Sequence, residues 1–127
     1  MDTKDLQGVP LFASLPDDEL EIVAANLSRT WVQKGKYIAK EGDFAYNLCA
    51  VLSGTATVER NGEVIADLTT GDVFGEMALP DDHRRNADVI AGNDLFLAIM
   101  LSWDFRAAME TCPVFKSKID DLIAARS

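Results

Sequence analysis

The stretch Gly71–Ala91, which reads GDVFGEMALPDDHRRNADVIA, carries the most information about the fold. Gly75 permits a close approach to the backbone that a side chain would block. The residues from Glu76 to Leu79 fit one helical turn, and its free N–H groups can cradle an anion. Arg85 then opens a strand; a guanidinium forks onto phosphate oxygens, while a carboxylate such as Glu76 accepts from a sugar hydroxyl. The stretch therefore predicts a local phosphate site, although taken alone Arg85 also fits a solvated surface position.

Short β-rich runs surround this stretch from residue 31 to residue 101, separated by Gly, Asp and Asn turns. The pair Asn61-Gly62 predicts a type I′ hairpin, because both positions favour positive φ. Seven or eight short strands at this spacing are typical of a sandwich or jelly roll. The runs that predict strands are Trp31–Lys34, Tyr37–Lys40, Leu48–Leu52, Thr55–Arg60, Glu63–Leu68, Ala87–Ala91 and Leu95–Leu101.

Helical periodicity flanks the β-rich region on both sides. Residues 14–30 are predicted as an N-terminal helix, with Pro16 in its first turn. Residues 102–126 are predicted as two helices: Ser102 caps the first, and Pro113 ends the first and opens the second. Their apolar faces are Phe105, Ala108, Met109 and Cys112 in the first helix, then Phe115, Ile119, Leu122 and Ile123 in the second. We predict one domain over residues 1–127, a mostly β jelly-roll barrel (31–101) with one N-terminal and two C-terminal helices.

Composition excludes several classes of function. The net charge of −9 would repel nucleic-acid phosphates, so no nucleic-acid partner is expected. His83 is the only histidine, which leaves too few ligands for most metal sites, and Cys49 and Cys112 fit plain core positions in a reducing compartment. No apolar run approaches the ~20 residues of a membrane span. The start of the chain lacks the features of a signal peptide, so we expect a cytoplasmic protein without a membrane partner.

Residues 74–89 match a specific motif. Phe74–Leu79 fit the pattern F-G-E-x-A-L, and Arg85–Val89 fit R-S/T/A-A-T-V, with a spacing of nine from Glu76 to Arg85. This segment resembles the phosphate-binding cassette of the cyclic-nucleotide-binding domain family, which includes catabolite activators, kinase A regulatory subunits and nucleotide-gated channels. The resemblance covers nearly all of the chain. Its further matches are Leu11-Phe12 with Leu15, Lys34-Gly35, Glu41-Gly42-Asp43 and Leu52-Ser53-Gly54.

The resemblance implies a role for each matching position. Arg85 pairs with the cyclic phosphate of cAMP or cGMP, and Glu76 accepts from the ribose 2′-hydroxyl. The remaining members of the implied phosphate cradle are Gly75, Ala78, Asn86 and Ala87. The implied base pocket and its lid comprise Val58, Ala66, Leu68, Ile123 and Arg126, with the C-terminal helix closing over the ligand. Helical spacing also points Arg126 to the packing face of that helix, while a frayed chain end is an equal alternative.

Two positions depart from the family pattern. Asn86 stands where Ser, Thr or Ala is usual, and Asp88 stands where Thr or Ser is usual. In the family, a Thr directly after the cassette arginine favours cGMP, so Asn86 leads us to expect a preference for cAMP. An aspartate that faced the phosphate would repel it, unless the strand turns Asp88 outward.

The function expected from these observations is that of a regulatory sensor module that binds a cyclic nucleotide and acts on an unidentified effector protein or domain. It needs neither catalysis, a metal nor a cofactor, and its oligomeric state is left open. An enzyme of the small β-barrel kind lacks metal ligands, and no Ser or Cys has a plausible nearby base. The alternative is a degenerate fold that binds no nucleotide and serves as a protein-interaction or dimerisation domain. Retention of both Glu76 and Arg85 argues against it, because their burial without ligand is costly.

Overall fold

A computed structural model describes residues 1–43, 47–75 and 84–126 of the protein. In these residues a 3₁₀ turn (Thr3–Leu6), α1 (Pro10–Ala13) and α2 (Asp17–Ala25) precede the strands, and α3 (Ser102–Thr111) and α4 (Pro113–Arg126) follow them. The strands are β1 (Ser28–Val32), β2 (Tyr37–Ala39), β3 (Asn47–Ser53), β4 (Ala56–Arg60), β5 (Glu63–Leu68), β6 (Val73–Phe74), β7 (Asp88–Ala91) and β8 (Leu95–Leu101).

The strands form two four-stranded sheets in which neighbouring strands are antiparallel. One sheet has the order β1-β8-β3-β6 and the other has the order β2-β7-β4-β5. The prediction of a mostly β jelly roll with flanking helices is confirmed. The expected barrel is not closed. Among the described residues, no hydrogen-bonded strand pair joins the two sheets.

The hairpin between β4 and β5 has the predicted turn. Asn61 has a φ of 54° and Gly62 a φ of 79°, the positive values that a type I′ turn requires. The two strands pair from Ala56 with Leu68 to Arg60 with Glu63, and the register shifts beside Val58. The prediction of a hairpin at Asn61-Gly62 is confirmed.

The central strands β3 and β8 separate two hydrophobic clusters. Because side chains alternate along a strand, Cys49 and Val51 of β3 enter the cluster between the sheets, while Leu48 and Ala50 enter the cluster under the helices. Strand β8 alternates in the same way. The helices contribute four of the large, fully buried side chains in the cluster under the helices: Phe12, Phe105, Phe115 and Ile119. Strands buried on both faces explain the continuous apolar runs in the sequence.

Three local features differ from the prediction. The N-terminal helix, expected over 14–30, is confined to α2, because Pro16 is extended with a ψ of 152° and the chain enters β1 at Ser28. Ser102 is the first helical residue instead of the cap, because β8 runs directly to Leu101, which takes the capping position. The two-residue strand β6 was not predicted. No helix in the described part of the chain is long and apolar enough to cross a bilayer.

Glu19 of α2 holds the start of α4. This residue is only 5% exposed. It accepts hydrogen bonds from the backbone N–H groups of Val114, at 3.0 Å, and Phe115, at 2.8 Å. These groups belong to the first turn of α4, where N–H donors have no partner within the helix. Phe115 also packs edge-on against Phe105, with ring centroids 6.0 Å apart. The first turns of α4 are therefore part of the core.

We predict that Glu19→Ala lowers the free energy of unfolding by about 1–3 kcal/mol, because it strands a buried N–H donor. Glu21→Ala on the same helix is the matched control. Its side chain is exposed, so its effect should stay within about 0.5 kcal/mol. Urea unfolding followed by circular dichroism measures both values. Equal losses for the two variants would contradict this assignment.

Candidate functional site

A cavity of about 400 Å³ lies on the inner face of the second sheet, bounded by β4, β5, β7, β6 and the end of α4. This volume falls within the range of roughly 300–1,000 Å³ that is typical of small-molecule sites. Much of the wall is apolar. The apolar lining residues are Ala39, Val58, Ile65, Ala66, Leu68, Phe74, Ala87 and Val89.

Arg85 is held at one end of this cavity by its main chain. Its N–H donates to the carbonyl of Asp43 at 2.6 Å, and its carbonyl accepts from the N–H of Gly42 at 2.9 Å. The Glu41-Gly42-Asp43 turn, noted in the sequence only as a family match, therefore fixes the backbone from which Arg85 projects. Asn86 and Ala87 separate Arg85 from β7, which begins at Asp88, and the side chain of Arg85 lines the cavity.

Asn47 holds the guanidinium of Arg85. The Nη2 atom of Arg85 donates to the backbone oxygen of Asn47 at 2.6 Å and to its Oδ1 atom at 2.9 Å. Sequence reasoning missed this residue. The available signal was its position, since Asn47 is the polar first residue of β3 and the run Leu48–Leu52 that follows it is apolar. A guanidinium oriented in this way loses little freedom when an anion arrives.

Arg85 and the backbone of Asn47 occupy the space that a side chain at position 75 would need. The φ of Gly75 is +96°, and a Cβ atom there would lie 2.5 Å from Nη1 of Arg85 and 2.8 Å from the backbone oxygen of Asn47. Both distances are below any normal contact of a Cβ atom. The close approach predicted at Gly75 is therefore, in the structure, an approach to the arginine itself.

The thiol of Cys49 lies beneath this arrangement. Its Sγ atom is 3.5 Å from Oδ1 of Asn47. Burial raises the pKa of Cys49 to about 12, and the nearby charge of Arg85 lowers it by a smaller amount. The thiol is therefore neutral at physiological pH. Cys49 and Cys112 are both free and buried, as predicted for core cysteines.

The residues after Arg85 do not all face the cavity. Asn86 and Ala87 line the cavity. Asp88 is not among the described lining residues, and its Oδ1 atom accepts from the backbone N–H of Glu41 at 2.6 Å. Its carboxylate is thus turned away from the cavity and supports the turn that holds Arg85. The repulsion considered for Asp88 does not arise in this geometry.

The other predicted residues divide into three groups. Val58, Ala66 and Leu68 line the cavity, as does Arg126, whose Nη1 atom donates to the backbone oxygen of Val73 at 2.7 Å. Ile123 packs against the cluster under the helices and is not among the described residues of the cavity wall. Glu76 and Ala78 lie outside the described residues. The described part of the chain contains no group of three His, Cys, Asp or Glu residues suited to a metal ion.

Comparison with known proteins agrees with this geometry. A family model described as "Cyclic nucleotide-binding domain" matches residues 29–112. The cyclic AMP receptor protein of Thermus thermophilus is 29% identical over 126 residues, which are 95% of this chain and 58% of that protein. The regulatory subunit of cAMP-dependent protein kinase from Schizosaccharomyces pombe is 36% identical over 94 residues, which are 73% of this chain and 23% of that protein.

A solved structure agrees with the same assignment. The crystal structure of the Thermus thermophilus catabolite activator protein superposes with a TM-score of 0.84 at 30% identity. The match covers 92% of this chain and 57% of that one. The chain therefore spans less than two thirds of the length of each of these relatives.

The packing around Gly75 gives a stability prediction. We expect Gly75→Ala to destabilise the protein more than Gly35→Ala, because both positions have positive φ but only Gly75 adds a clash with backbone. A Cβ atom at Gly35 meets nothing within 4 Å, so this control isolates the strain of the φ angle alone. The excess should be about 1–3 kcal/mol, measured as the difference in free energy of unfolding. Identical losses would show that the site tolerates the added methyl group.

Proposed function

Because the chain belongs to the cyclic nucleotide-binding domain family, we propose that its cavity binds a cyclic nucleotide, with cAMP favoured over cGMP, and that it acts as a regulatory module without catalysis. The observation that carries this proposal is the guanidinium of Arg85, oriented by Asn47 at the end of a largely apolar cavity. A cation whose orientation is fixed and a largely apolar wall suit a ligand with one anionic end and one flat, weakly polar end.

The anionic end of the ligand is assigned to Arg85. A cyclic phosphate pairs with the guanidinium, and backbone N–H groups near Gly75 and Ala87 add further donors. The sugar is assigned to Glu76, on the basis of the motif, with Ala78 completing the cradle. Both of these residues lie outside the described residues, so their roles rest on the family pattern.

The base is assigned to the apolar wall formed by Val58, Ala66 and Leu68. The preference for cAMP is supported by Asn86, which replaces the Thr that favours cGMP in the family. It is also supported by the names of the relatives, a cyclic AMP receptor protein and a cAMP-dependent kinase subunit. The match covers 58% and 23% of these two relatives, and we assign the output of this module to an effector protein or domain that is not identified.

The last turns of α4 are assigned to the closing movement. The start of α4 is held by Glu19 and by the buried side chains of Phe115 and Ile119. A movement of the whole helix would therefore disrupt the core. Arg126 at its end already borders the cavity. Because Ile123 packs against the helical core, Arg126 makes the first contact with ligand, and Ile123 follows only if the end of the helix shifts.

The binding role of Arg85 is tested by isothermal titration with cAMP and cGMP. We expect Arg85→Ala to cost about 2–5 kcal/mol of binding free energy, because it removes one partner of a sheltered charge pair. This corresponds to roughly thirtyfold to several-thousandfold in affinity.

The matched control for Arg85 is Arg84→Ala. The guanidinium of Arg84 donates to the backbone oxygen of Gly42. Arg84 is not among the described residues of the cavity wall. The variant should change affinity little. Equal losses from both variants would indicate a diffuse charge effect instead of a site. A folded wild-type protein that binds neither nucleotide would favour the alternative of a degenerate interaction domain.

The closing role of Arg126 is tested by the rate of ligand release. A ligand draws the helix end inward only by binding the closed state more tightly. We expect Arg126→Ala to speed dissociation roughly tenfold, the effect of one lost hydrogen bond to a charged group. Stopped-flow displacement of a fluorescent cyclic nucleotide measures the rate. Lys116→Ala, which breaks an exposed ion pair with Asp120 on the same helix, should leave it unchanged. Equal rates for wild type and Arg126→Ala would rule out the closing contact.

A further inference from the structure

Arg60 is a second arginine on the sheet wall of the cavity, and the sequence motif does not include it. It lies at the end of β4, two residues beyond Val58, and side chains two apart on a strand share a face. Both residues line the cavity. An exposed arginine next to a hairpin turn would ordinarily be a surface residue, but here the strand alternation places it beside the proposed base pocket.

The side chain of Arg60 is positioned by the backbone of Asn86, the residue after Arg85. Its Nε atom donates to the backbone oxygen of Asn86 at 3.0 Å. A guanidinium has five N–H donors, and the other four lie on its two η nitrogens. The contact at Nε thus fixes the orientation of the plane that carries these four donors. The plane stands next to Asn86, the residue that already bears on the choice of base.

We propose that Arg60 is a specificity-determining residue that donates to O6 and N7 of a 6-oxopurine base. The inference rests on the proposed function, since it needs a cyclic purine nucleotide in the cavity. Guanine and hypoxanthine present two adjacent acceptors, O6 and N7, which match the two parallel N–H groups of a guanidinium. Adenine presents N7 beside an amino donor at C6, so an arginine, which has only donors, gains one bond and meets one mismatch.

Arg60 therefore opposes the preference for cAMP that Asn86 supports. The two residues act on different atoms of the purine: Arg60 on the substituent at C6, and position 86 on the amino group at C2. Their effects are separable with three ligands. The 3′,5′-cyclic monophosphate of inosine has the oxygen at C6 and no amino group at C2, so it differs from cGMP at C2 alone.

The experiment measures dissociation constants of cAMP, cIMP and cGMP by isothermal titration for wild type, Arg60→Ala, Arg60→Lys and Arg84→Ala. We expect Arg60→Ala to weaken cIMP and cGMP relative to cAMP by about 5- to 150-fold, the worth of one bidentate arginine–guanine pair. The two 6-oxopurine ligands should shift together. Arg60→Lys keeps the charge without the planar fork, so it should lose most of the discrimination and keep most of the affinity for cAMP.

Two variants serve as controls. Arg84→Ala removes a positive charge near the cassette and should change all three constants by one common factor. Asn86→Thr should separate cGMP from cIMP, which Arg60→Ala does not do. If the ratios of the three dissociation constants in Arg60→Ala equal those of wild type, whether or not affinity falls for all three nucleotides, the inference is overturned and the proposed function stays intact. A wild-type protein that binds none of the three would overturn both. Arg60 is exposed, and a thermal melt checks that the variants remain folded.

Discussion

The cavity depends on one arginine that is held at both ends. The main chain of Arg85 exchanges two hydrogen bonds with the Gly42–Asp43 turn, and its guanidinium meets two oxygens of Asn47. Gly75 leaves the space in which that guanidinium lies. The 42–47 segment and Gly75 thus converge on the cation of Arg85. An arginine oriented before the ligand arrives has already lost most of its rotamer freedom, so that cost falls on folding instead of binding.

The two hydrophobic clusters divide the molecule into a cavity side and a support side. Strands β3 and β8 form the wall between them and contribute alternate residues to each. Asn47, at the start of β3, reaches Arg85, while its neighbour Leu48 packs beneath the helices. Strand β3 therefore holds Arg85 through Asn47 and, through Leu48, belongs to the cluster that also contains buried residues of α3 and α4.

Features set by local chemistry were predictable from the sequence. The Asn61-Gly62 turn needs only positive φ at two positions, and the apolar faces of α3 and α4 need only helical periodicity. Features set by long-range partners were not. Nothing near Glu19 indicates that its carboxylate caps a helix more than ninety residues later, and nothing near Asn47 points to Arg85. Strand β6 has two residues and exists only because it pairs with β3.

The residues of the cavity wall also divide into those that a local rule predicts and those that depend on long-range packing. Strand alternation, a local rule, accounts for Val58 and Arg60 facing inward and for Asp88 facing outward. The location of Ile123 required the packing of the whole helix: its stripe position was correct, but the stripe faces the core cluster under the helices. Helical periodicity identifies the buried face of a helix, and it does not say which of two neighbouring spaces that face covers.

The overall charge explains why the site needs such close contacts. A chain with a net charge of −9 repels an anionic ligand at long range, so electrostatic steering cannot supply affinity. At physiological ionic strength the screening length is about 8 Å, and inside that distance the local arrangement of charges dominates. Arg60, Arg85 and Arg126 border the cavity together with Asp67 and Asp72, while Asp88 is turned away from it. Binding an anion to this chain is thus a contact interaction, which makes the position of each guanidinium, and what holds it there, the determinant of both affinity and choice of ligand.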